Sequence, residues 1–244
     1  MSWSTVRRVE LPDGSLRAIK ETGYDARLEA RGLWALGDAG APVPEIHEVT
    51  ASRIVMDWVE GPADWEGLGR RLAAVHRSSS LAFGFAHDNM IGVLPQRNDW
   101  HETWGEFFAT TRVRDHLDDP SVPRDLANRL ARACEGPLQT LLDEHDPTPS
   151  LIHGDLWSGN IVGGQWLIDP AVAFADREME LAFLTMFGGV PEALEAAYHE
   201  KWPLEEGWER RRPALRLHHL LVHVRMFGAS YVGMLARTLD ELGW

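Results

Sequence analysis

The chain is poor in lysine, cysteine, long apolar runs and net positive charge. Each shortage excludes something. Cys134 is the single cysteine, so neither an intrachain disulfide nor a multi-cysteine zinc site can form. The lack of disulfides fits a reducing compartment. No run of 18 apolar residues occurs, and the most apolar stretch, 215–235, is broken by Arg225 and three histidines. The first residues, MSWSTVRRVELPDG, hold no apolar secretory segment. These features predict a cytoplasmic monomer with no membrane association. Acidic residues number 37 against 24 basic ones, a net charge of −13. With no general basic footprint, no nucleic-acid partner is expected. Of the basic residues only Lys20 and Lys201 are lysines; the other 22 are arginines.

What is present can fold. The 244 residues are 44% hydrophobic and include 11 tryptophans, enough for one large or two small domains with a real core. Thr5–Leu11 alternates as a strand, Pro12-Asp13-Gly14-Ser15 reads as a turn, and 16–20 as the return strand. A helix is predicted from Asp25 to Gly37, and strands over 45–49 and 53–58. Gly61-Pro62 interrupts the pattern. Helices follow over 66–76, 99–117 and 123–144, then a β insertion within 151–168 with a Gly163-Gly164 turn, then helix from Glu178 onward. This order predicts an α+β, bilobal fold: a reduced β-rich lobe over 1–57, a hinge at 58–61, and a helical lobe over 62–244 carrying a catalytic loop at 151–170.

The segment His153-Gly154-Asp155-Leu156-Trp157-Ser158-Gly159-Asn160 carries the chemistry, with Asp169-Pro170 after the next strand pair. An aspartate, an asparagine five residues on and a later aspartate is the arrangement protein kinases use. Phosphoryl transfer needs a carboxylate to orient the attacking hydroxyl and take its proton. It also needs hard oxygen ligands for Mg²⁺. Asp155 is the expected base, with Asn160 and Asp169 as metal ligands. Lys20 ends the strand Arg17-Ala18-Ile19-Lys20, where a compact ammonium can meet the phosphates of ATP. Because cationic positions here are otherwise filled by arginine, a lysine at this one is informative. Glu29, on the following helix, is its expected partner. Backbone groups near Asp57 and Val59, at the predicted hinge, are expected to hold adenine. His218, His219 and His223 are expected to line the core or cleft wall. The run Arg210–Arg212 is expected to be a solvated helix start balanced by Glu205, Glu206 and Glu209, and Cys134 an inert helical thiol.

These motifs resemble the fructosamine/ketosamine-3-kinase family, a branch of the aminoglycoside-phosphotransferase-like kinases. The narrow signals are Trp157-Ser158-Gly159, Asp169-Pro170-Ala171 and Asp176-Arg177-Glu178-Met179-Glu180-Leu181-Ala182-Phe183. Further agreement lies in Leu68–His76, Phe83-Gly84-Phe85, Asp88–Gly92, Gln96–Phe108, Leu217–His223 and Phe227–Tyr231, so the likeness spans about 15–235. The resemblance implies a protein-kinase-like fold and ATP- and Mg²⁺-dependent phosphorylation of the sugar 3-hydroxyl of a ketosamine, free or protein-linked. It implies roles for Lys20, Asp155, Asn160 and Asp169 as above. It makes Trp157 a stacking surface for the sugar or its amine carrier, with Asp88, Asn89 and Gln96 as lesser substrate-side candidates. Two other readings stay open. One is a kinase of an aminoglycoside, another sugar or an amino-sugar metabolite. The other is a non-catalytic, pseudokinase-like binding module. The chain departs from the family pattern at its start. Only 19 residues precede Lys20 and no Gly-rich phosphate loop exists, so either the first hairpin covers the phosphates with its backbone amides or that function is missing.

Overall fold

Alternation in the first residues produces a real hairpin. The computed structural model describes residues 4–244. Strands β1 (Ser4–Glu10) and β2 (Leu16–Thr22) pair antiparallel, with Val6 opposite Lys20. β4 (Arg53–Asp57) pairs with β2, and β3 (Ile46–Val49) with β4, giving the order β1-β2-β4-β3. Helix α1 (Ala26–Asp38) starts at Asp25, whose side chain accepts from the Arg27 amide. Its apolar face, Ala26, Ala30 and Leu33, packs on Ala18, Ile54 and Met56. Burying Leu33 alone is worth about 2 kcal/mol. The helix also reaches beyond this sheet. Leu36 joins the core formed by Leu68, Leu72, Leu151 and Val172, and a Cβ at Gly32 would lie 3.0 Å from Pro170. The sheet is therefore anchored through α1 onto the segment that follows Asp169.

The remainder is mainly helical. α2 (Trp65–His76), capped by Asp64, packs along α7 (Glu192–Lys201). Between them in sequence come the hairpin β5 (Asn89–Ile91)/β6 (Leu94–Gln96), α3 (Trp104–Phe107), α4 (Arg124–Ala133) and α5 (Pro137–Asp143). β7 (Ser150–Ile152) pairs with β10 (Ala173–Ala175), enclosing the short hairpin β8 (Ile161–Val162)/β9 (Trp166–Leu167). α6 (Arg177–Leu184), α8 (Trp208–Leu215), α9 (Leu217–Phe227) and α10 (Val232–Leu242) complete the chain. The largest core unites Trp104, Phe107 and Phe108 with α4, α5, α9 and α10. Among the described residues no helix is long and apolar enough to cross a membrane.

The expected helices differ in their limits. The one placed at 99–117 begins only at Trp104, where Thr103 accepts from the Glu106 amide; it then loosens into a π turn over 108–113 and a 3₁₀ turn over 114–116. Residues before it run extended, with Phe83 and His101 exchanging both backbone bonds. The helix placed at 123–144 breaks at Gly136, and Pro137 opens a new one because its missing N–H is no loss there. The stretch from Glu178 onward is five helices, interrupted at Gly188-Gly189, at Pro203 and Gly207, at Arg216 and at Gly228. The pairs β5/β6 and β7/β10 have three residues per strand, too few for a period to show. Arg211 is no solvated cation. It is buried, its Nε and Nη2 donating to Glu178 at 2.8 and 2.9 Å.

Candidate active site

β7 delivers His153, Gly154 and Asp155 to the cleft. Gly154 sits at φ +84°, and a Cβ there would lie 2.0 Å from the Ala171 carbonyl oxygen, so only glycine fits. Its N–H donates to Glu180 Oε2 at 2.7 Å, and its carbonyl accepts from His219 Nε2 at 2.9 Å. The other Glu180 oxygen accepts from His76 Nε2 at 2.9 Å, and His76 Nδ1 lies 2.8 Å from the Tyr198 hydroxyl. His153 spans the loop: Nε2 donates to Ile168 O at 2.9 Å while Nδ1 accepts from the Asp155 amide at 3.3 Å. Burial holds the His153 pKa below its ordinary value. Asn160 folds back so that its Nδ2 donates to the Asp155 carbonyl at 2.8 Å and to Asp155 Oδ2 at 3.1 Å. Burial pushes the Asp155 carboxyl up to about 8; the Asn160 bond opposes this, and the charges of Asp169 and Glu180 add to it.

Lys20 meets this loop from the sheet. Its Nζ is 2.7 Å from Asp169 Oδ1 and 2.8 Å from Glu29 Oε2, and the residue is 2% exposed. Burial opposes the ammonium charge, but the two carboxylates outweigh it and raise the Lys20 pKa above the ordinary value. Tyr24 donates its hydroxyl to the same Glu29 oxygen at 2.7 Å. Asp169 adopts φ +56°, a left-handed conformation costing a non-glycine residue about 1 kcal/mol. The Asp169 side chain stays 40% exposed, with Oδ1 held by Lys20.

Two cavities meet at Lys20 and Asp169. One, of about 190 Å³, is apolar and lies between the sheet and β8/β9, with Ala18, Met56, Trp58, Val59, Val162 and Ile168 among its walls. The other, of about 210 Å³, is polar and contains Asp155, Glu29 and Tyr24. Asp57 and Val59 both line the apolar one. The Asp57 amide is already engaged with the Glu45 carbonyl at 2.9 Å, and its carboxylate pairs with Arg17 and His47, so its N–H is not open to a base. The turn of the first hairpin spends its amides on itself. Its Leu11, Gly14 and Ser15 amides bond to Ser15 O, Leu11 O and Asp13 Oδ1 within the turn. It is β1 itself, through Ser4 and Val6, that covers the cavities.

The sequence model of the fructosamine kinase family matches residues 23–243. The chain belongs to the fructosamine kinase family. Similar curated proteins bear the name probable ketoamine kinase. The one from Synechocystis sp. is 37% identical over 225 residues, covering 84% of this chain and 74% of the relative. The one from Thermus thermophilus is 36% identical over 218 residues, covering 88% and 81%. A crystal structure from Thermobifida fusca, of a protein provisionally named fructosamine-3-kinase, superposes with a TM-score of 0.89 at 36% identity, over 99% of this chain and 90% of that one. A choline/ethanolamine kinase family protein from Mesorhizobium loti shares the fold at TM-score 0.61 and 15% identity. The fold is thus protein-kinase-like, of the aminoglycoside phosphotransferase kind, and the chain is a phosphotransferase of that class. The family match begins three residues after Lys20, so the place of Lys20 rests on its contacts to Glu29 and Asp169.

Within this family frame the lesser substrate candidates change role. Asn89 and Gln96 are buried and brace the segment after Asp169. Asn89 Nδ2 donates to Val172 O at 2.8 Å, and Gln96 Nε2 donates to Asn89 Oδ1 and Ala171 O. Asp88 accepts from the Asn98 amide at 2.9 Å. None of the three lines either cavity. Trp157 does face out, 39% exposed, and its indole lies across Gly159, where a Cβ would approach it to 2.3 Å. Beside it, Gly189 brings the loop after α6 against Ser158. That loop carries Phe187, which packs with His223 and Tyr231. His218 and His219 are buried structural groups, and His219 stacks on Phe183 at 3.6 Å. Glu180, His76 and Tyr24 had no role in the sequence reading. Glu180 lay inside a family block, but a buried carboxylate bound to a backbone amide has no local signature. Cys134 caps α4, buried, and burial pushes its thiol up to about 11.

Proposed function

We propose that the chain transfers the γ-phosphoryl group of ATP to the sugar 3-hydroxyl of a ketosamine, a fructosamine or ribulosamine adduct, with Mg²⁺. The observation that carries this is the convergence of Lys20, Asp169, Asn160 and Asp155 where the two cavities meet, although Lys20 and Asp169 are 149 positions apart. The relatives named ketoamine kinases supply the substrate class. The apolar cavity lined by Val59 suits adenine, and Lys20, which also lines it, suits the phosphates. Residues 1–57 then form the nucleotide-holding lobe, 58–61 the hinge and 62–244 the catalytic lobe. The setting supposed is a cytoplasmic monomer.

The donor set fits Mg²⁺. Asn160 turns its amide nitrogen to Asp155, which leaves its oxygen facing the other way, and Asp169 keeps its Oδ2 clear of the Lys20 contact. One amide and one carboxylate oxygen leave most of the coordination sphere for water and phosphate, as Mg²⁺ prefers. When bound, the metal neutralises charge on the phosphates. Lys20 binds phosphate oxygens, held for that task by Glu29 and Tyr24. Asp155 orients the acceptor hydroxyl and takes its proton as the new O–P bond forms and the bond to ADP breaks. Asn160 fixes the rotamer of that carboxylate. A transfer assay with ATP, Mg²⁺ and a ribulosamine or fructosamine tests the reading. Asp155→Asn should lower kcat by about 10²–10⁴-fold with the ATP KM nearly unchanged. No transfer to any ketosamine at millimolar ATP defeats it.

A further inference from the structure

The apolar cavity takes the base and the Lys20–Asp169 junction takes phosphate, so the acceptor is left the polar cavity beside Asp155. Part of its wall is Met90 and Gly92, from the β5/β6 hairpin, with Tyr24 and Pro170 also lining it. We propose that this hairpin is the acceptor-size gate: Met90 and Gly92 close a chamber that admits one sugar unit of a ketosamine and excludes a multi-ring aminoglycoside. The inference rests on the function proposed above and deepens it.

The chamber is small, about 210 Å³, and must also leave room for the γ-phosphoryl group. Its wall is fixed rather than mobile. Asn89 and Gln96 tie the two strands of the hairpin to the Val172 and Ala171 carbonyls. Gln96 is in turn 3.1 Å from His218 Nε2 on α9. Ile91 is buried against Ala171 and Val222. The hairpin therefore rides with the segment that carries Asp169, two residues before Ala171, and cannot swing away without disturbing the metal side of the site. Alternation along β5 does the rest. Asn89 and Ile91 face inward to those anchors, and Met90 between them is half-buried and faces the chamber. At Gly92, φ is +58° and a Cβ would lie 2.7 Å from Met226 Cε, so the turn presents bare backbone with Met226 behind it. Met90 is thus the one large side chain the hairpin offers to the acceptor. An unbranched thioether of this kind packs against a sugar's C–H face without demanding a hydrogen bond.

The test is steady-state kinetics of the wild type, Met90→Trp, Met90→Ala and Met90→Leu, with a small alkylamine fructosamine and with kanamycin as acceptors. The expected result has the wild type using the fructosamine and not kanamycin. Met90→Trp should raise the fructosamine KM by about tenfold or more while the ATP KM stays within about twofold, and Met90→Leu, nearly equal in volume, should restore it. Met90→Ala should admit larger amine carriers. The unchanged ATP KM shows that the variants are folded. An unchanged fructosamine KM in Met90→Trp, or wild-type transfer to kanamycin as efficient as to the fructosamine, overturns the gate and leaves the kinase reading standing. Wild-type transfer to neither acceptor sinks the ketosamine reading and the gate with it.

Discussion

Lys20 shows how much one residue type carries in a chain that otherwise uses arginine. Between Glu29 and Asp169 it is a compact ammonium with two carboxylates at hydrogen-bond distance. A planar guanidinium cannot occupy that position without displacing one of them. Lys20→Ala should raise the ATP KM by about 10-fold or more, and Lys20→Arg should fail to rescue it; nucleotide titration by fluorescence or calorimetry reads both. Tyr24 enters here as well. Its hydroxyl holds the Glu29 oxygen that meets Lys20, so Tyr24→Phe should weaken ATP binding by a few-fold. Asp155, Asn160 and Asp169 stand out in the sequence through their fixed spacing, and Lys20 through its place at a strand end in a chain with two lysines. Glu29 was readable only as a candidate, since the strand–helix connection had to set its distance. Tyr24 was not readable, because a tyrosine before a helix looks like any other.

At the scale of elements, the loop carrying Gly154 and Asp155 is held by α6, α2 and α9. Glu180 on α6 joins the Gly154 amide to His76 on α2, and His219 on α9 takes the Gly154 carbonyl. Glu180→Ala should cost about 2–4 kcal/mol of stability in urea denaturation, because it leaves a buried amide and a buried imidazole without their acceptor. The same variant should lower kcat more than it alters the ATP KM, since Asp155 is one residue from the freed amide. Helices with capping residues and 3.6-residue periodicity, such as α1 and α2, lay within a residue or two of expectation. The helix expected at 99–117 did not, because backbone pairing of Phe83 with His101 competes with helix and wins. That pairing joins residues far apart in sequence and has no local trace.

The whole molecule carries a pH liability in its buried histidines. Burial lowers His116 and His219 to about 3 and His218 well below its ordinary value; neighbouring Arg225 and Arg112 add to the effect at His116, while His219 and Arg112 add to it at His218. These groups are neutral in the fold. Above pH about 6.5 they cost nothing, and below it the unfolded chain binds protons that the native state refuses. Each then removes about 1.4 kcal/mol per pH unit as pH falls from 6.5 toward 3. His145 acts in the opposite sense: despite burial, Asp176 and Glu178 raise it, so its contribution is complete below about 6.5 and fades as pH rises through the raised value. The raised carboxyls of Asp155, Glu29 and Glu178 act in the same sense as His145, and the lowered His153, His87 and His223 act with the three; the six lowered imidazoles outweigh the four raised groups. Thermal unfolding should show a steep loss of Tm between about pH 6.5 and 5, and His218→Asn should flatten that slope even where it lowers Tm overall.

The sequence alone pointed to a phosphotransferase, to the family and to the α+β bilobal order, because motif spacing, lysine scarcity and turn residues act locally. Tertiary structure decided the rest. It alone brought Lys20 to Asp169 and assigned Asn89 and Gln96 to bracing. It also buried Arg211 and set Met90 in the wall of the same cavity as Asp155. Those outcomes depend on which distant surfaces pack together, and no local pattern encodes a contact made across 149 residues.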